Sequence, residues 1–161
     1  MNANNARLIW LLRVPLLLTC FLGLVISAGP AYPGGVVNAS SGGVAVQGYY
    51  PVAYFTMGKA VKGAKEFAYE WLAVTWQFTS AEHRDMFAAD SIKYAPQHGG
   101  FCSVGVLKGG QYSTDPTAWR IVDGKLYLFF DEFTAAGWNP NNPAVVKADE
   151  DWRMTLTDLI Q

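Results

Sequence analysis

The chain reads as an α+β protein: a small antiparallel β-sheet built from hairpins, with short helices packed on it and a helix at the C-terminus. Three observations predict this. Two stretches alternate apolar and polar residues about a short turn, a capping pattern follows the first of them, and the last twenty residues carry apolar side chains at helical spacing.

The first hairpin is written in aromatics. Phe67, Tyr69 and Trp71 alternate with Ala68 and Glu70, and Val74, Trp76 and Phe78 alternate with Thr75 and Gln77 across the Leu72-Ala73 junction, so the rings share one face. Thr79 with Glu82 three positions on makes a capping-box pattern, and Ala81 to Ala89 are good helix formers. Asp90 and Ser91 start a further short turn that Pro96 ends. In the second hairpin Asp123-Gly124 joins runs carrying Trp119, Ile121, Leu126, Leu128 and Phe130, and Asp-Gly favours the primed turn that matches strand twist. A brief helix through "DEFTAAG" closes near Gly137 and Pro140. Asn142 followed by Pro143 then opens the last helix, with apolar positions Val145, Val146, Ala148, Trp152, Leu156 and Leu159.

At 161 residues, 51% hydrophobic and 16% charged, the chain has enough apolar matter for one core and too few charges for disorder. Its basic residues are scattered and its formal net charge is -1, which excludes nucleic acid as a partner class. Asp149-Glu150-Asp151, between Lys147 and Arg153, reads as a solvated face. No Walker-type loop, dinucleotide fingerprint or internal repeat is present, and Gly99-Gly100 and Gly109-Gly110 are turn signals.

Residues 1–28 have the order of a secretory signal peptide: Arg7 and Arg13 without any acid, an apolar run from Val14 to Ile26, then small residues. That run is shorter than the roughly 20 residues of a spanning helix, so the expectation is export to the periplasm or the extracellular space, with membrane contact only through an uncleaved segment. Residues 29–43, "GPAYPGGVVNASSGG", read as a flexible linker, with Asn38-Ala39-Ser40 a formal glycosylation acceptor. Residues 44–161 are the folded domain with a C-terminal helical extension. Cleavage would remove Cys20 and leave Cys102 as the single thiol, so no internal disulfide can form.

"GYYPVAYF", "FAYEWLAVTWQFTSAEHRDMFAADSIKYAP" and "GGFC" resemble the YHS-domain family, especially its exported single-domain members, over about Gly48 to Phe130. The resemblance rests on Pro51-Val52, on the hairpin ending in Trp76, Phe78 and Ser80, on Phe87, and on Lys93-Tyr94. It implies a small antiparallel sheet with helices packed on it. Heavy-metal-associated members carry three cysteines where this chain has Ala53, Thr79 and His83, so their three-thiolate site cannot be built here.

The remaining soft or borderline ligands are Cys102, His98 and His83, with Met86 one helical turn from His83. Thiolate with imidazole suits copper or zinc, and these three residues are the candidate metal ligands of a transition-metal binding or handling module. Each also has a plainer account: Cys102 as a core sulfur, His98 as a loop residue, His83 as an exposed residue of a first helical turn. The alternative is a metal-free interaction module for a small molecule or protein, lined by indoles such as Trp71, Trp76, Trp119 and Trp138. A third reading makes Cys102 a redox sensor, or a nucleophile with His98 as base and Asp90 or Asp115 orienting it. Binding rather than catalysis is the expectation.

Overall fold

A computed structural model describes residues 35–161, and the signal peptide expected over residues 1–28 lies outside the described residues. The order is α1 (Pro51–Met57), β1 (Ala64–Trp71), β2 (Val74–Phe78), α2 (Ala81–Ala89), α3 (Ser91–Tyr94), a 3₁₀ turn over Gln97–Gly100, α4 (Ser103–Leu107), β3 (Asp115–Val122), β4 (Lys125–Phe129), α5 (Glu132–Gly137) and α6 (Pro143–Leu159). The fold is α+β, and the hairpins form two separate antiparallel sheets, β1-β2 and β3-β4.

In the first sheet Tyr69 pairs with Trp76 and Trp71 with Val74. The aromatic face that alternation places on one side packs onto α2, whose Phe87 is fully buried. Its ring centroid lies 5.0 Å from Trp76, 5.3 Å from Phe78, 5.7 Å from Trp71 and 6.1 Å from Tyr69. These spacings are those of favourable edge and tilted contacts. The turn residues Leu72 and Ala73 both have positive φ, the backbone a tight primed turn demands, here without glycine.

Strand β4 divides the interior. Leu126 and Leu128 point into the core of the first hairpin with Tyr50, Val52 and Tyr54, while Tyr127 and Phe129 point into a second core with Ala118, Ala135, Trp138 and Val145. A strand alternates its side chains across its two faces, so one five-residue segment serves both cores. Tyr54 ties α1 to β3 by donating to the Pro116 carbonyl at 2.9 Å, and burial pushes its phenol pKa upward.

Two expectations are corrected. The cap of α2 is Ser80, whose Oγ accepts from His83 N at 3.2 Å, so the start lies one residue later than the Thr79–Glu82 pattern implies. The segment 35–43 is not a free linker. Val37 and Asn38 are buried, Asn38 N donates to Gly99 O at 2.8 Å, and its side-chain amide donates to Gly100 O at 2.9 Å. An Asn38 amide enclosed in this way is closed to a glycosyl group. Beyond these, α1 and α4 are helices that no local periodicity announces. Both are short, seven and five residues, and α1 starts on Pro51 at its first position.

Candidate functional site

Two polar constellations stand out. The first surrounds the hydroxyl of Tyr50, a buried residue. Its oxygen lies 2.8 Å from Thr79 Oγ1, 3.1 Å from His83 Nδ1 and 3.7 Å from Met57 Sδ. The phenol has one proton for three neighbours, so the threonine hydroxyl and the imidazole must supply the other roles. Local structure explains the convergence. Because Ser80 caps α2, Thr79 is free to turn toward Tyr50, and the first turn of α2 carries His83 to the same oxygen. Met57, the last residue of α1, is 45% exposed, so solvent reaches this cluster.

The second constellation ties α6 to the body. Asp149 Oδ2 accepts from Tyr127 Oη at 2.6 Å and from Lys125 Nζ at 2.7 Å. On the other oxygen, His98 Nε2 lies 3.2 Å from Oδ1, an ion-pair distance, but its N–H is off line for a directed hydrogen bond. Burial raises the Asp149 pKa, but the contacts from His98, Lys125 and Tyr127 outweigh it and hold the carboxyl at about 2. Burial, reinforced by the hydrogen bond to this carboxylate, pushes the Tyr127 phenol well above its ordinary value.

His98 reaches Asp149 through a strained bend. His98, Gly99 and Gly100 all have positive φ, and the imidazole side chain is 1% exposed beneath α6. A Cβ on Gly99 would lie 1.9 Å from the Val36 carbonyl oxygen, so the Gly-Gly pair permits close backbone approach as well as the turn. The expectation of a loop histidine is thus corrected. Residue 98 is part of the bend, but its ring is buried.

The predicted ligands do not come together. His83 faces Tyr50, His98 faces Asp149, and Cys102 is 3% exposed at the N-cap of α4, with its backbone N–H on Tyr112 O at 2.9 Å. Among the described residues, no three His, Cys, Asp and Glu side chains form a group suited to a metal ion. Of the tryptophans named above, Trp76 and Trp138 are buried while Trp71 and Trp119 are half-buried against the core. They serve packing first.

Sequence reasoning missed Tyr50, Met57, Lys125, Tyr127 and Asp149. For Asp149 a signal exists: Val145, Asp149, Trp152 and Leu156 follow one helical stripe, and the three apolar members are buried. An acid on that stripe has to find partners inside. The other two acids of the cluster do behave as solvated residues, Glu150 being exposed and Asp151 pairing with Lys147 at 2.7 Å on the exposed side. Beside Asp149, a cleft of about 490 Å³ opens between α3, the β3–β4 turn and α6. Comparison of the chain with family models, curated proteins and solved structures finds no match.

Proposed function

We propose that the chain is an exported binding module of the YHS type that handles a soft or borderline transition-metal ion, copper in the first place, at Tyr50, Met57, Thr79 and His83. The observation that carries this reading is the convergence of an imidazole nitrogen, a thioether sulfur and a hydroxyl on one phenol oxygen at 3.1, 3.7 and 2.8 Å respectively. Donors bound to one ion at about 2.0–2.3 Å and near-tetrahedral or right angles stand roughly 3–4 Å apart. Imidazole with thioether is a ligand set that favours copper over hard cations.

Two of the four residues, Thr79 and His83, occupy positions where the resemblance expects cysteines. The reading keeps the place of the family's site while changing its donors. It replaces Cys102 and His98 as ligands, because the thiol is buried and the imidazole is engaged with Asp149. The buried thiol is equally unsuited to nucleophilic or redox work, which needs an accessible thiolate.

Competition of the purified protein with a chromophoric Cu(I) chelator tests this. The expected result is about one equivalent bound, weakened at least tenfold by His83→Ala and by Met57→Leu, with Cys102→Ala unchanged. No binding, or binding lost in Cys102→Ala and kept in His83→Ala, overturns the assignment.

A further inference from the structure

We propose that the cleft between α3, the β3–β4 turn and α6 is a binding site for a small molecule of no net charge, with an apolar body and one polar edge. This site is separate from the Tyr50 cluster and does not rest on the metal reading. Its volume of about 490 Å³ lies within the range of small-molecule pockets.

Three features set the ligand class. The first is charge. Lys93, Lys125 and Arg153 border the cleft together with Asp123, Asp149 and Glu150, so the walls balance and a ligand with net charge gains no selectivity from them. Lys125 is already engaged by Asp149, which removes the most deeply placed pair from ligand recognition.

The second is apolar surface. Ile92 of α3 and Val146 of α6 line the cleft and each is 50% exposed, although a helix of this kind normally turns such side chains toward the core. Removing that surface from water is favourable for an apolar body, whatever its identity.

The third is unmet polarity behind the wall. Trp152 lines the cleft and is buried, and its indole N–H has no hydrogen-bond partner among the described residues. A donor left in this state is costly, and a ligand whose polar edge displaces the atoms covering it recovers the cost. Trp152 belongs to α6, which forms one side of the cleft.

The test uses two probes on the full chain: N-phenyl-1-naphthylamine, uncharged with one N–H, and 1-anilinonaphthalene-8-sulfonate, the same ring system bearing an anion. The proposal expects saturable fluorescence enhancement by the uncharged probe at about one per chain, with the sulfonate binding no more tightly. Val146→Asp and Ile92→Asp, both at half-exposed positions, should each weaken the uncharged probe at least tenfold. His83→Ala should leave it unchanged. Absence of saturable binding, affinity indifferent to both aspartate variants, or a tenfold preference for the sulfonate overturns the proposal.

Discussion

At the scale of single residues, backbone geometry at the Gly-Gly pair separates two positions that look alike in sequence. Gly99 and Gly100 both have positive φ, so alanine is strained at either. They differ in what a methyl would meet. At Gly99 it is the Val36 carbonyl oxygen, 1.9 Å away, whereas at Gly100 the nearest atom is Val46 Cγ2 at 3.0 Å, a side chain that can shift. Gly99→Ala should therefore cost about 2–4 kcal/mol of unfolding free energy and loosen the segment through Val37 and Asn38, while Gly100→Ala costs less. Urea denaturation of the two variants checks the order. A larger loss at Gly100 would mean that the 35–38 segment does not pack against the bend. The twin glycines are legible in the sequence as a turn. Their inequality is not, since it depends on a segment some sixty residues away that composition marks as linker.

At the scale of elements, helix starts decide where side chains go. Ser80 and not Thr79 caps α2, so Ser80→Ala should destabilise by about 1 kcal/mol. Thr79→Val, which keeps the shape and removes the hydroxyl, should spare the cap and disturb only the contact with Tyr50. Thermal unfolding of both distinguishes the registers, and an equal or larger loss from Thr79→Val would restore Thr79 as the cap. Both residues carry capping hydroxyls, so the sequence marks the helix to within one residue and no closer. That single residue matters for function, because it releases Thr79 toward the phenol. At the other end Asn142 accepts from Ala144 N at 2.9 Å and Pro143 opens α6, as the Asn-Pro step implies. Here the signal is unambiguous, since proline is readily placed in a first turn and asparagine is a preferred cap.

At the scale of the whole molecule, one carboxylate fastens α6 to the domain, and this makes stability depend on pH in a defined direction. Asp149 is held at about 2 in the folded state, below the usual carboxylate range. A lowered folded pKa stabilises the protein above the unfolded value, and that stabilisation is lost as pH falls from about 4 toward 2. Wild type should therefore lose urea resistance through this window more steeply than Asp149→Asn, and above pH 5 the variant should be weaker by about 1–3 kcal/mol because Lys125, Tyr127 and His98 lose the carboxylate charge and one of its two acceptor oxygens. Parallel pH dependence of the two proteins would remove Asp149 from the role. Asp115 and Asp131, also lowered by hydrogen bonds from Thr117 and Thr134, contribute the same background to both. By itself the sequence determined the α+β class, both hairpins with their turns, and the spans of α2 and α6, because period-two and period-3.6 patterns and their caps are written in neighbouring residues. Only the tertiary structure decided that the two hairpins remain separate sheets, that β4 serves two cores, and that His83 meets Tyr50 while His98 meets Asp149. Those outcomes depend on contacts between residues far apart in the chain, and a side chain that reads as surface or loop in its local window becomes buried when a distant element closes over it.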